Sequence, residues 1–161
     1  MAIFISKPTT NASALTTESF TYSKTAGIIK TAHANGLNGS MTSGSFDANT
    51  SFEFTGTVPQ VTGALLPTSV KNLTINNSSW SVDLSSPVTV TNNLTLTSGE
   101  LKSTTTNTVT VTNTAPTAIT RTTGHVNGPL DWKITGTGTE DFIFPIADNL
   151  GYQKFLTLND V

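Results

Sequence analysis

The chain has 161 residues, of which 63 are Thr, Ser or Asn, whereas charged residues make up only 11%. Its net charge of -2 and its eight scattered Lys and Arg side chains do not provide the cation cluster that phosphate neutralisation requires, so we expect no nucleic-acid partner. The absence of Cys excludes disulfides, thiolate metal sites and cysteine nucleophiles. The chain contains no run of 18 apolar residues that would predict a membrane-spanning helix, so we expect no membrane insertion.

The segment Met1 to Lys7 contains an apolar run that is too short for a signal peptide, and its charge follows that run instead of preceding it. We therefore expect the chain to be a processed protein or a fragment of a longer one.

Apolar and polar residues alternate with a period of two along most of the chain, which is typical of half-buried β-strands. In chain order, the alternating segments are Phe20–Tyr22, Phe52–Phe54, Leu73–Ile75, Trp80–Leu84, Val88–Val90, Leu94–Leu96, Val109–Val111, Phe142–Phe144 and Phe155–Leu158. Gly and Ser are frequent in residues 33–50, which we interpret as a loop. Helical periodicity is nearly absent, so the sequence predicts an all-β fold.

An internal repeat gives the strongest signal in the sequence. When Asn72–Asn92 is shifted by 21 positions onto Asn93–Asn113, eight residues are identical and apolar positions fall on apolar positions. Trp80 falls on Leu101 in this alignment, which predicts that Trp80 lies in the core. Such a period predicts a β-solenoid, in which each repeat forms one coil and successive coils stack in parallel about 4.8 Å apart.

The inward side chains of this solenoid should form a continuous core ladder. Its predicted members are Phe52, Phe54, Leu73, Ile75, Val88, Val90, Leu94, Leu96, Val109 and Val111. We expect Asn72 to lie over Asn93 at a corner, where side-chain amides form ladders between coils. The alternative fold is a β-sandwich, which would not require equal spacing of the strands.

The repeat pattern changes after Asn113, at Ala115 and Pro116, and it changes again from Val126 onward. Turn sequences at 136–138 and 149–151 suit antiparallel hairpins more than coils. We therefore divide the chain into a β-solenoid at 1–125, with irregular N-terminal coils, and an antiparallel β cap, or the start of a following domain, at 126–161.

Several short motifs follow one another in a characteristic order. They are Phe52–Gly56, Pro59–Gly63, Val70–Asn77, Val88–Leu101, His125–Leu130 and Phe144–Asp148. In this order they resemble repetitive secreted surface proteins of Bacteroidetes bacteria, the adhesin-like chains that the type IX pathway exports. The resemblance implies a stalk or adhesin segment outside the cell, with no catalytic residues to transfer.

The sequence provides little support for catalysis. Glu53, Asp83 and Glu100 occupy different phases of the repeat, so we do not expect them to converge as a carboxylate pair. His33 and His125 are interpreted as exposed loop residues without an acidic partner at metal-ligand spacing. We expect no enzyme activity, no metal site and no cofactor.

Two surface features suggest ligands. Trp132 and Tyr152, in the predicted cap, could stack on sugars, so glycan recognition is the alternative function. Thr89 and Thr91 should lie over Thr110 and Thr112 on a solvent-facing surface, and such a threonine ladder is a further, less favoured candidate for ice binding.

The leading hypothesis is a non-enzymatic structural or adhesive module of an extracellular, cell-surface protein. Its partners would be neighbouring repeats of a longer chain or further copies of itself, because unpaired strand edges at the ends of a coil stack can associate into a fibre.

Overall fold

A computed structural model describes residues 2–4, 20–22, 27–135, 141–147 and 153–158 of the chain. The strands are β1 (Ala2–Phe4), β2 (Phe20–Tyr22), β3 (Gly27–Thr31), β4 (Gly44–Phe46), β5 (Thr50–Phe54), β6 (Gln60–Val61), β7 (Ser69–Asp83), β8 (Val88–Lys102), β9 (Val109–Val111), β10 (Ile119–Arg121), β11 (His125–Asn127), β12 (Leu130–Trp132), β13 (Phe142–Ala147) and β14 (Gln153–Leu158). A five-residue helix, α1 (Gly36–Ser40), and a 3-10 turn at Pro116–Ala118 interrupt them.

The chain forms a β-solenoid, as the repeat predicts, and the β-sandwich alternative is wrong. Leu73 pairs with Phe52 on one side and with Leu94 on the other, and both pairings are parallel. Each of these steps equals one period of the sequence repeat. The parallel ladder β1, β3, β5, β7, β8 and β10 gives the stack about six coils.

The long strands β7 and β8 bend around corners, so that the inward rows of the stack lie on three faces. In chain order we call these face A (Val70, Val90, Val111, Trp132), face B (Ile29, Phe52, Leu73, Leu94, Ile119) and face C (Gln60, Val82, Leu101, Val126, Ile146). Because side chains alternate across a strand, the residues between these rows point outward. The ten residues of the predicted core ladder are each at most 2% exposed.

The predicted asparagine ladder forms at the corner between faces A and B. Asn72 lies under Asn93, and its side-chain oxygen accepts hydrogen bonds from the Asn93 backbone N–H at 3.1 Å and from the Asn92 amide at 2.8 Å. Its own amide donates to the Ser51 hydroxyl at 2.9 Å. The next step is made by the Asn113 amide, which donates to the Asn92 carbonyl at 3.0 Å. Side-chain amides thus link four successive coils.

The coil that precedes Phe52 is irregular. Within residues 33–50, which the sequence assigned to a loop, α1 places Leu37 in the core with 0% exposure, and β4 follows it. The backbone of Gly36 has a φ of 56°, and a Cβ at this position would lie 2.1 Å from the Val61 carbonyl oxygen. This contact lets the helix lie against the coil formed by β5 and β6.

Parallel stacking continues beyond residue 126, where the sequence places the start of an antiparallel region. β11 pairs in parallel with β8, and β12 pairs in parallel with β9, because Val126 and Trp132 extend the apolar rows of faces C and A. Antiparallel pairing occurs only later within the described residues, between β13 and β14, where Phe142 lies opposite Leu158. The hairpin is therefore present, but it begins after another run of parallel coil.

Candidate functional site

A bulge in β7 carries Trp80 out of the stack. Asn76 pairs with Ser98, whereas Ser81 pairs with Glu100, so that five residue steps in β7 lie opposite two in β8. The prediction that Trp80 lies in the core over Leu101 is therefore wrong: Val82 occupies that position, and Trp80 is 57% exposed. The bulge adds extra residues to β7, so the residue that points inward over Leu101 is not the one that the sequence alignment of the repeats places there.

Asn77 holds the bulge from inside the stack. Its side chain is completely buried, and its oxygen accepts hydrogen bonds from the backbone N–H groups of Ser79 at 3.3 Å and Trp80 at 3.0 Å. Its amide donates to the Val58 carbonyl at 2.7 Å and to the Gln60 side-chain oxygen at 3.1 Å. The amide therefore has two donor and two acceptor contacts, which satisfies a buried polar group.

Gln60 extends this buried network into two further coils. Its oxygen also accepts from the Gly56 backbone N–H at 2.8 Å, and its amide donates to the carbonyls of Thr31 at 3.3 Å and His33 at 3.1 Å. A buried network in which every polar group is satisfied favours one local conformation, because any other arrangement leaves an unpaired group away from water. The path of the chain at Trp80 is thus fixed through three coils.

Gly99 provides the space that the bulge needs in the next coil. Its backbone has a φ of 80°, and a Cβ there would lie 2.2 Å from the Asn77 carbonyl oxygen and 2.6 Å from the Trp80 carbonyl oxygen. A residue with a side chain would be strained in conformation and would also collide with backbone. An isolated glycine inside an alternating strand is the sequence signal that could have revealed this bulge.

Polar side chains occupy the outer surface of face C beside Trp80. Glu100, which pairs with Ser81, receives a hydrogen bond from the Asn127 amide at 2.7 Å and lies 3.5 Å from the Lys102 ammonium. Asp83 pairs with Lys102 and accepts a hydrogen bond from the Ser81 hydroxyl at 2.8 Å. Face C therefore presents carboxylates, an ammonium group and an amide on the strands that flank the residue after the exposed Trp80.

The three acidic residues considered in the sequence do not stack. Asp83 and Glu100 are on face C, but Asp83 pairs with Lys102 and Glu100 pairs with Ser81, so the two carboxylates are not directly paired. Glu53 lies on face B, where it forms an ion pair with Lys30 at 2.6 Å. Among the side chains that the structure describes, no group of three or more His, Asp or Glu residues is placed to hold a metal ion.

The prediction of an exposed loop histidine is wrong for His125. This residue begins β11, and its side chain is 15% exposed and lies 3.6 Å from the Glu100 carboxylate. Both ring nitrogens are buried without a hydrogen bond to any described residue. The sequence concealed the contact because His125 and Glu100 become neighbours only through the register between β11 and β8.

Of the two residues proposed for sugar stacking, Trp132 is buried in the core and Tyr152 is not among the described residues. Trp132 is 8% exposed, and its ring packs against Phe142 and Phe144 with centroid separations of 5.1 and 5.3 Å. Its indole N–H donates to the Asn113 carbonyl at 2.9 Å. This ring closes the end of the apolar rows and leaves little surface for a ligand. Tyr152 lies outside the described residues.

The threonine surface on face A covers two coils. Thr89 lies under Thr110, and this row continues to Ser69 below and Asp131 above. The hydroxyls of Thr91 and Thr112 donate to the carbonyls of Val70 at 3.2 Å and Val90 at 3.4 Å. These hydroxyl groups therefore reinforce the contacts between coils. In the described part of the stack, the row of threonines that could face an ice surface is only two coils long.

Comparisons of the chain with models of protein families, with curated proteins and with solved structures give no match. Within the described ranges, no helix is both long enough and apolar enough to cross a membrane.

Proposed function

We propose that this chain is a non-enzymatic structural and adhesive module of an extracellular bacterial surface protein. The observation that carries the proposal is the unbroken apolar row of face B, in which Ile29, Phe52, Leu73, Leu94 and Ile119 are each at most 8% exposed. A core that runs continuously along the stack axis resists bending, because bending would open the packing between coils. The module serves as a stiff spacer within a longer chain.

The motif order supports the placement outside the cell, because it resembles secreted adhesin-like chains of Bacteroidetes. The surface chemistry is consistent with this role, since charged residues are few and threonine and asparagine side chains bond to the coil below. Such a surface offers few charges for nonspecific attraction.

Antibody labelling of intact source cells tests the placement and the role together. We expect an antibody against the purified chain to label cells that have not been permeabilised. An in-frame deletion of the coils at 50–111 should reduce attachment to a surface while export of the parent protein continues, which is measured on the culture medium and cell fractions. Labelling only after permeabilisation would contradict the extracellular placement, and unchanged attachment would contradict the adhesive role.

Open strand edges support self-association as part of this proposal. Within the described residues, β1 pairs only with β3 at one end, and β10, β12 and β14 each pair on one side at the other end. The two ends differ, so pairing of one end with the other is head-to-tail, and it extends into an open filament when the rotation between copies does not close a ring.

Light scattering over a hundredfold range of concentration tests this assembly. We expect the mean mass to rise with concentration and negative-stain images to show thin filaments. A constant monomer mass at the highest concentration would remove self-assembly from the proposal and leave the spacer role to the cell experiment.

A further inference from the structure

We propose that the outer surface of face C around Trp80 is a binding site for a neutral glycan. At 57% exposure, Trp80 is the most exposed of the large hydrophobic side chains that the structure describes. An indole ring offers a flat apolar surface, and the C–H face of a sugar ring can cover it while the hydroxyl groups at its rim remain free for hydrogen bonds. Aromatic side chains combine large contact area with a small loss of conformational entropy on binding.

The bulge presents Trp80 in a fixed arrangement before any ligand arrives. Asn77 fixes the backbone N–H of residue 80, Gln60 fixes Asn77, and Gly99 accepts the close approach of the bulge. The cost of ordering this turn is therefore met during folding, which increases the affinity that a small contact area can provide. A bulge that served only to change the direction of the chain would not require an aromatic residue at its exposed position.

Hydrogen-bonding groups lie on the strand that pairs with the residue after Trp80. Glu100 is on the coil next to Ser81, its side chain is 21% exposed, and Asn127 and Lys102 hold its carboxylate in place. A carboxylate has about four acceptor positions, so Glu100 can accept from a sugar hydroxyl in addition to its contact with Asn127. The Lys102 side chain is 43% exposed and supplies a donor.

The local charge favours a neutral ligand over an anionic one. Asp83 and Glu100 place two carboxylates on this surface against the ammonium of Lys102. While His125, 3.6 Å from Glu100, is neutral, an anionic glycan would meet net repulsion here. The hydroxyl groups of a neutral glycan can donate to both carboxylates. Successive coils repeat about every 4.8 Å, which is close to the length of one sugar unit, so a chain of sugars can follow face C upward from Trp80.

A folded protein is a less suitable occupant of this surface. A stable protein interface buries about 800 Å² on each partner around an apolar centre. Beside Trp80, the exposed large apolar side chains are Val58, whose carbonyl binds Asn77, and Val61, which pairs with Asp83. The coils above present the polar residues Glu100, Lys102 and Asn127, so the exposed apolar area is small and is confined to the coils of Val58, Val61 and Trp80.

The two tryptophans of the chain allow a direct binding measurement. In the full chain carrying Trp132→Phe, Trp80 is the remaining tryptophan, and its emission is excited selectively over that of the two Tyr residues. Acrylamide should quench this emission strongly because Trp80 is exposed. We would titrate this protein with hexasaccharides of β-1,4-linked glucose, N-acetylglucosamine, mannose and xylose, and with an oligogalacturonate of the same length as the anionic probe. We expect at least one neutral probe to shift the emission to shorter wavelength and reduce quenching at least twofold.

Substitutions then assign the site. Calorimetry on the unmodified chain should show binding that Trp80→Ala weakens at least tenfold and Glu100→Gln weakens severalfold, whereas Thr95→Ala on face B leaves it unchanged. Absence of binding by all four neutral probes, equal or tighter binding of the anionic probe, or affinity that survives Trp80→Ala would each overturn the proposal. If Trp80→Ala failed to fold, the quenching titration would still decide, because it uses a chain with Trp80 intact. The cell-labelling result does not depend on this outcome.

Discussion

The Asn77 side-chain oxygen accepts a hydrogen bond from the backbone N–H of Trp80 at 3.0 Å, and this contact connects a fully buried amide to the most exposed large hydrophobic side chain described. A buried side chain of the solenoid therefore determines the backbone position of Trp80 at the surface. The same buried amide reaches Val58 and Gln60 in the coil below, so that the position of Trp80 depends on contacts in more than one coil.

Gly99→Ala should destabilise the chain by about 2 kcal/mol, because a left-handed conformation costs a residue with a side chain about 1–2 kcal/mol and the added methyl group meets the Asn77 backbone. Denaturant unfolding followed by circular dichroism measures the change. Thr97→Ala in the same strand is the matched control and should stay within about 0.5 kcal/mol of the unsubstituted chain. Equal stability of the two variants would show that the bulge can relax away from Gly99.

Leu94→Ala should be among the most damaging single changes. Leu94 is completely buried between Leu73 and Ile119, and deletion of such a side chain from a packed core costs about 2–5 kcal/mol. The shift of the urea midpoint gives the loss. Thr95→Ala, one residue further on and pointing outward, should cost less than about 0.5 kcal/mol. Similar losses for both variants would contradict the assignment of inward and outward positions on face B.

Asn72 permits a more selective test of the corner ladder. Asn72→Ala leaves the Asn93 N–H, the Asn92 amide and the Ser51 hydroxyl without their partner, and we expect a loss of about 1–3 kcal/mol. Asn72→Asp retains both acceptor contacts, and the Ser51 hydroxyl can rotate to donate, so the loss should be less than half as large. Thermal unfolding of the two variants in parallel distinguishes them. An aspartate as harmful as alanine would mean that the amide donor provides most of the stabilisation.

The core and the repeat were predictable because they obey a fixed spacing. Leu73 and Leu94 are one repeat period apart in the sequence and directly paired in the structure, and the alternation along each strand then determines which neighbours point inward. Such regularity follows from physics, because a coil buries its apolar residues only when the next coil places similar residues above them.

The candidate site was not predictable in the same way. Trp80 has the alternation of a core residue, and the isolated Gly99 is the one sequence signal against that interpretation. The contacts of Asn77 and Gly99, from two different coils, show where the chain bulges. The proximity of His125 to Glu100 likewise depends on a step between coils that is longer than the repeat period, which a search for a constant period does not consider. The parallel pairing of β11 and β12 beyond residue 126 was not predictable, because Val126 and Trp132 continue the rows across turns that break the repeat.

Coils of unequal length stack in this chain, which indicates that such a fold tolerates insertions during evolution. Along face B the step from Leu94 to Ile119 is longer than the step from Leu73 to Leu94, and the inward row is nevertheless continuous. Insertions of a few codons are therefore absorbed at the corners, where they alter the outer surface and spare the interior. A gene for such a scaffold can acquire new surface loops, as at Trp80, without redesign of the packing that holds the coils together.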